Sequence, residues 1–437
     1  MDVEQNEGLK REIGIIDVAA NVVNNVVGGG IFLIPAVIAA SLGSASILAY
    51  LLCGLILFTV MLCFAEASSR ITCSGGAYAY VESAFGPYAG FLTNFFFVFG
   101  FGLLSDAAVA NGMVDMLSIP FPVFAQTFYR GIFFLFVFIG YAYINVRGVK
   151  HGMRMVKLIT LVKLIPLVLL ICVGLFSTTF NNLKWENWPS VHSLGEASLI
   201  LFFAFIGGEA ALNLSGEMKN PKRTAPIGLL IGIGFVVIFY IAIQLVAQGV
   251  LGADLKNHEA APLAAVANAL IGPFGVTLLI GAAIISIYGN LGTSPLVYPR
   301  LIFAGAKDGL LPKILSKVHS KFATPFWAII IYEALSFVVS ISGGFRQLAI
   351  ISSASMLLIY LGVVLSTFKF RLTNGTKIPG TFKIPGGLII PAIALVTIIW
   401  FLSHLTSPEA IGIAIFAGVL TVMYFIQYFM KKKKINY

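Results

Sequence analysis

Two glycine clusters interrupt two of the most apolar stretches of the chain, at Gly28-Gly29-Gly30 and at Gly207-Gly208. Glycine weakens a helix. At membrane depth, freed backbone groups are tolerated where they line a cavity or where a ligand replaces their partners. We therefore predict that both stretches are membrane helices that unwind near mid-span. The alternative for the triplet is close helix packing through small residues.

An unwound helix offers backbone groups of both polarities. The half-helix beginning near Ile31 presents bare N–H groups and a positive dipole end, which suit a carboxylate. The carbonyl oxygens before the first break, with those of Phe203 and Ile206, suit an ammonium. The pattern predicts a site for the α-amino and α-carboxylate groups of an amino acid. The predicted backbone ligands are Asn25, Val26, Val27, Gly28, Gly29, Gly30, Ile31, Phe203 and Ile206.

Lys163 is a charge placed inside an apolar stretch. A charge at a helix centre costs on the order of 3 kcal/mol on insertion scales, so a functional role is the default hypothesis. The alternative, snorkelling to the interface, suits Lys157 better because it lies nearer the helix end. Pro166 leaves the carbonyl of Val162 without its helical donor, and Ser286 is a weaker candidate partner for the ammonium.

Asp106 and Glu209 are two carboxyl groups inside predicted spans. Each is either a carboxylic acid kept neutral by burial or a functional group that binds a cation or carries a proton. None of the five histidines falls at mid-span, which argues against a histidine proton relay. The four cysteines lack metal-ligand spacing, and we expect no metal, cofactor or catalytic residue.

The surrounding sequence is that of an all-α integral membrane protein. Of its 437 residues, 59% are hydrophobic and 11% are charged, against roughly a quarter charged in a soluble domain. The net charge of +10 does not indicate nucleic acid, because the basic residues lie in short loops between apolar runs. Twelve spans are predicted, at roughly 14–41, 45–68, 88–113, 129–146, 155–177, 197–215, 225–251, 273–303, 324–342, 347–368, 385–405 and 409–430.

The basic residues also predict the topology. If both termini are cytoplasmic, 23 of the 28 lysines and arginines fall on the inner side, as the positive-inside rule requires. The two broken spans, first and sixth, are five helices apart, and an odd offset inverts the second set of five. The predicted divisions are an N-terminal tail (1–13), a first repeat (14–178), an inverted second repeat (197–372), two further helices (385–430) and a basic tail (431–437).

Four motifs resemble those of the amino acid–polyamine–organocation (APC) superfamily. They are VVGGGIFLIP in the first span, residues 64–91, residues 202–228 and residues 298–325. Gly29 stands where the family motif GSGIF has a serine, which removes a hydroxyl from the carboxylate site. The resemblance implies a leucine-transporter-type five-plus-five fold with discontinuous helices 1 and 6. Basic amino acid/polyamine antiporters and light-chain-type neutral amino acid exchangers are the most similar groups.

The resemblance also implies roles by position. Phe203 matches the aromatic residue that covers the substrate, and Glu209 matches a sixth-helix glutamate. Phe97, Phe203 and Phe205 would shape the side-chain pocket, with Gly100 leaving room. Lys163 is similar to a fifth-helix lysine whose ammonium replaces the sodium ion of sodium-coupled relatives.

We therefore expect a sodium-independent secondary transporter of amino acids in the cell membrane, working by alternating access as a proton symporter or an exchanger. Its coupling residues would be Lys163, Glu209, Asp106 and Ser286. The alternatives are a cationic amino acid or polyamine exchanger and a non-transporting amino acid sensor. The absence of a GxxxxGK[ST] motif argues against an ATP-driven pump. An enzyme is not expected, and the sequence leaves the substrate, the oligomeric state and any auxiliary subunit open.

Overall fold

The computed structural model describes residues 12–71, 76–147, 152–185, 187–307, 309–374 and 381–435. Side chains are described outside 152–161, 213–216, 374 and 430–435. Most of the predicted N-terminal tail and the basic tail at 431–437 therefore lie outside the described side chains. Over the described ranges the chain is helical, apart from one isolated parallel bridge between Ile13 and Met218.

The α-helices follow one another along the chain. They are α1 Ile15–Val26, α2 Gly30–Leu42, α3 Ser46–Arg70, α4 Gly76–Phe85, α5 Pro87–Phe95, α6 Leu103–Leu117, α7 Thr127–Arg147, α8 Gly152–Ser177, α9 Val191–Phe202, α10 Pro221–Leu251, α11 Pro262–Ile271, α12 Pro273–Lys307, α13 Phe326–Ser342, α14 Phe345–Asn374, α15 Ile389–Leu402 and α16 Ser407–Ile435. A π-helical segment, Phe96–Gly102, joins α5 to α6. The 3₁₀ turns Phe203–Phe205 and Gly208–Glu217 follow α9.

Several helix ends follow from local sequence. Ser190 caps α9 by accepting a hydrogen bond from the amide of Ser193 at 3.0 Å. Pro221 and Pro262 begin α10 and α11. Proline lacks an N–H group, and at the start of a helix this costs nothing because the first N–H groups have no acceptor within the helix. Gly252 ends α10 with a φ of 56°, a backbone conformation that glycine adopts without a Cβ clash.

Eight helical stretches of the described chain are long and apolar enough to cross a membrane. One of them, Gly30–Arg70, has 41 residues, a helical length of about 60 Å that is twice the hydrocarbon thickness of roughly 30 Å. Gly43, with a φ of 56°, separates it into α2 and α3. Each of the twelve predicted spans overlaps at least one described helix, and a twelve-crossing arrangement stays a prediction. The helices α4 and α11 lie where the sequence predicted connections.

The chain divides into two compact units. The first unit comprises Met1–Thr93, Ser177–Asn257 and Met356–Leu405, and the second comprises Asn94–Phe176, His258–Ser355 and Thr406–Tyr437. Each unit therefore draws on three separate parts of the chain. This division follows packing and not chain order, and the two sequential repeats stay a prediction.

In the first unit, α10 packs closely against α1. A Cβ added to Gly228 would lie 2.6 Å from the Cβ of Val18, and one added to Gly232 would lie 2.6 Å from the Cβ of Val22. The two glycines are four residues apart and so share one face of α10. This small-residue spacing lets the two helices approach closely, as in other membrane helix pairs.

In the second unit, α6, α12 and α13 share an aromatic core. Tyr298 stacks on Tyr332 with a centroid separation of 5.4 Å, and Gly102 lies directly against the Tyr298 ring. Val98, Leu103 and Ile302 belong to the same buried cluster. This core fixes the helices that carry Asp106 and Glu333.

Candidate functional site

The first break separates α1 from α2 at residues 27–29. The amide of Gly28 donates to the carbonyl of Val26 at 2.7 Å, a tight turn that replaces the normal helical bond. Because α2 begins at Gly30, the amides of its first turn have no carbonyl one turn earlier in the same helix. The predicted unwinding at the glycine triplet is therefore present in the structure.

The second break follows α9 and is longer than the sequence predicted. The helix tightens into a 3₁₀ turn at Phe203–Phe205, and Ile206 is extended with a ψ of 149°. Gly207 has a φ of 121°, which L-residues rarely adopt. The glycines at 207–208 mark the break, and the change of helix type begins four residues earlier.

The two breaks face each other within the first unit. A Cβ on Gly30 would lie 2.9 Å from the Cα of Ala204, and a Cβ on Gly207 would lie 3.0 Å from the carbonyl oxygen of Asn25. The contacts are reciprocal, since each break supplies a glycine to the backbone of the other. This arrangement gathers N–H donors and carbonyl acceptors of two helices at one place, a chemistry that matches a zwitterion.

Two tyrosines, Tyr50 and Tyr240, contact residues at the helix breaks. The Tyr240 hydroxyl donates to the carbonyl of Val26 at 2.9 Å, so it satisfies an acceptor at the end of α1. Phe205 is fully buried, and its ring centroid lies 5.0 Å from Tyr240 and 6.3 Å from Tyr50. Neither tyrosine is predicted as a site residue, because an aromatic residue in an apolar span has no feature that distinguishes it from other core residues.

Glu209 sits immediately after the second break and is 5% exposed. Its Oε2 accepts the Tyr360 hydroxyl at 2.7 Å and the amide of Gly207 at 3.2 Å. Its Oε1 is buried and has no hydrogen-bond partner among the described residues. The structure thus attaches this carboxyl group to the break itself and to α14, and it adds Tyr360 to the residues the sequence indicated.

Phe97 and Gly100 lie in the second unit, on the π-helical segment. The centroid of the Phe97 ring lies 5.4 Å from that of Tyr298 and 5.9 Å from that of Phe101. A Cβ on Gly100 would lie 2.8 Å from the Oγ of Ser355, so the space beside this glycine is taken by a serine side chain. A π-helical turn in an α-helix is rare and is frequent at functional sites.

Asp106 is buried in the second unit at 7% exposure. Its two carboxyl oxygens accept the hydroxyls of Ser294 at 2.7 Å and Tyr332 at 2.8 Å. Glu333 is also buried and lies within electrostatic range of Asp106. Glu333 is absent from the predicted coupling residues, although it is a charge inside an apolar span just as Lys163 is.

Lys163 is 4% exposed in α8, one turn before Pro166. Burial of this side chain excludes the snorkelling alternative for it. Ser286 is buried in α12, and its Oγ has no hydrogen-bond partner in the described part of the chain. The pairing of Ser286 with Lys163 stays a prediction.

Apolar helices long enough to cross a bilayer, two of them broken at facing glycines, define a multi-pass membrane protein. A sequence model described as amino acid permease matches residues 13–434. The chain belongs to this family of transporters, within the APC superfamily, and is an amino acid permease.

Three curated relatives cover most of the chain. The serine/threonine exchanger SteT of Bacillus subtilis (strain 168) is 29% identical over 99% of this chain and 100% of its own length. The methylthioribose transporter of the same organism is 28% identical over 97% of this chain and 94% of its own length. The arginine/agmatine antiporter of Chlamydia pneumoniae is 26% identical over 90% of this chain and 85% of its own length.

Proposed function

We propose that this permease is a sodium-independent secondary transporter that holds the amino acid backbone between its two helix breaks. The observation that carries the proposal is the reciprocal contact of the breaks, Gly30 on Ala204 and Gly207 on Asn25. Amides at the start of α2 would bind the carboxylate, and carbonyls before the first break and at residues 203 and 206 would bind the ammonium.

The finer architecture is part of the proposal. Twelve crossings would form the two inverted five-helix repeats at 14–178 and 197–372, followed by the helices of 385–430. Both termini would lie in the cytoplasm, with the protein in the plasma membrane. Alternating access would expose the site to each side in turn.

Lys163 is proposed to make transport independent of sodium. Its buried ammonium would supply the positive charge that a sodium ion provides in sodium-coupled relatives, and Glu209 and Asp106 would share the coupling. Phe203 would contact the substrate side chain. The role of Phe97 in the pocket stays a prediction from the resemblance. Coupling to a proton gradient and amino acid exchange both fit these groups.

A cationic amino acid or polyamine is the second candidate substrate class. The observation in its favour is the buried Oε1 of Glu209, which has no hydrogen-bond partner among the described residues and is free to accept an ammonium. The relatives named above include a serine/threonine exchanger and an arginine/agmatine antiporter. Competition by serine and alanine against arginine and putrescine separates the two classes.

The test is uptake of radiolabelled amino acids into proteoliposomes that hold the purified protein. Uptake is measured with and without sodium, with and without an inward proton gradient, and with and without unlabelled amino acid inside. Dependence on internal substrate defines an exchanger, and accumulation driven by protons defines a symporter. Saturable flux that requires sodium would refute the role of Lys163, and no saturable flux of any amino acid or polyamine would refute transport.

A further inference from the structure

A buried ionic cluster joins α3 to α14 at the Arg70 end of α3. Glu66 is 1% exposed, and the side chains of Arg70 and Arg371 are 6% and 7% exposed. The Nε and Nη2 atoms of Arg371 donate to Oε1 and Oε2 of Glu66, a bidentate geometry with an Nε–Oε1 distance of 2.9 Å. Arg70 donates to the same Oε1 at 2.8 Å. A bidentate pair fixes direction as well as distance.

The same groups attach the chain between α14 and α15. The amide of Ile384 donates to Oε2 of Glu66 at 3.1 Å, and Arg371 donates to the carbonyls of Ile384 and Gly387. Arg70 donates to the carbonyl of Phe370 at 3.3 Å. These carbonyl oxygens stabilise the second guanidinium charge, which one carboxylate does not balance.

Tyr360 lies on α14, 11 residues before Arg371, or about 16 Å along a helix. Its ring centroid is 5.3 Å from Phe64 of α3 and 6.0 Å from Phe202 of α9. The helix α3 therefore holds α14 at two points, through an aromatic contact at Tyr360 and an ionic contact at Arg371. Because a helix is stiff over three turns, its position at Arg371 determines where the Tyr360 hydroxyl lies.

We propose that Arg371 and Glu66 are positioning residues for the second break, because they fix α14 on α3 and thereby hold the Tyr360 hydroxyl on the Glu209 carboxyl. Glu209 in turn accepts the amide of Gly207 at the break. Weakening the ionic cluster would therefore loosen residues 203–209 without altering any of them. The consequence for transport rests on the proposed function, whereas the structural link does not.

The experiment is hydrogen–deuterium exchange of the purified full-length protein, comparing Arg371→Lys with wild type. Lysine keeps the charge but cannot make the bidentate contact, so the chain is expected to stay folded. Exchange of residues 381–388 should accelerate because the Ile384 amide loses a fixed acceptor. Exchange of residues 203–209 should accelerate about tenfold, which corresponds to roughly 1.4 kcal/mol of local opening.

A double-mutant cycle with Tyr360→Phe tests the route. In the Tyr360→Phe background, Arg371→Lys should still accelerate residues 381–388 but should leave residues 203–209 unchanged. Equal acceleration of 203–209 in both backgrounds would overturn the role of Tyr360. Acceleration confined to 381–388 in the single variant would show that the cluster acts locally, and no acceleration anywhere would overturn the whole proposal.

The matched control is Arg346→Lys, which makes the same change at an exposed position on α14 and should alter neither segment. Transport provides a second measurement. Arg371→Lys should lower Vmax/KM about tenfold, since the loosened segment 203–209 contains the carbonyls of Phe203 and Ile206 that are proposed to bind the ammonium. If the wild-type protein carries no amino acid, the proposed function fails, while the exchange data still decide the positioning role.

Discussion

Replacement of Gly207 by alanine tests whether the two helix breaks face each other as described. Gly207 has a φ of 121°, and its added Cβ would lie 3.0 Å from the carbonyl oxygen of Asn25. A non-glycine residue in such a region costs on the order of 1–3 kcal/mol. The contact with a backbone atom adds about 1 kcal/mol of overpacking. The variant should thus disfavour this arrangement by roughly 2–4 kcal/mol.

The assay is initial-rate uptake in proteoliposomes, normalised to the amount of folded protein. A cost of this size lowers the equilibrium constant for the facing arrangement of the breaks by about 30- to 1000-fold, and uptake at low substrate concentration should fall by up to the same factor. The control is Gly234→Ala, at a helical glycine with nothing within 4 Å of the added Cβ. Uptake by Gly207→Ala within about twofold of wild type would refute the reasoning, because it would mean that the breaks do not require this backbone conformation.

Two further predictions concern stability, measured by thermal unfolding in detergent. Gly232→Ala should destabilise the protein by about 1–3 kcal/mol because the new Cβ would clash with α1. The control, Gly234→Ala on the same helix, should be neutral or stabilising. Equal effects of the two substitutions on stability would contradict the packing of α10 on α1. Asp106→Asn should cost about 1–3 kcal/mol because the two hydroxyls bind different carboxyl oxygens, and the NH2 group that replaces one of these oxygens cannot accept a hydrogen bond. Asp115→Asn, at the partly exposed end of α6, should cost under about 1 kcal/mol, and an Asp106→Asn variant as stable as wild type would be inconsistent with the buried contacts.

The sequence predicted the helix breaks because their cause is local. Three glycines in an apolar helix weaken it wherever the helix packs, so the first break was expected where it occurs. The second break was expected at Gly207, but the 3₁₀ turn at Phe203–Phe205 was not. An apolar run such as FAF is compatible with either helix type, and contacts from the rest of the unit select one of them.

The same limit applies to the π-helical segment Phe96–Gly102. Its sequence, FFVFGFG, has no feature that separates a π-helix from an α-helix. Glu333, in contrast, could be predicted as a candidate functional residue from the sequence, since it is a charge inside an apolar span. The short helices α4 and α11 have 10 residues each, which is below the length that identifies a membrane span, so hydropathy alone does not predict them.

Hydropathy, glycine content and charge act locally along the chain. The amino-acid sequence alone therefore predicts a membrane environment, the positions of the helix breaks and the kinds of backbone group that the breaks expose. The partner of each buried polar group depends instead on how distant helices pack. Glu66 and Arg371 are separated by 305 residues and Glu209 and Tyr360 by 151, and no pattern along the chain selects those partners. They pair because buried charges and polar groups must find partners inside the protein, and the folding of distant helices into one unit brings those partners within reach.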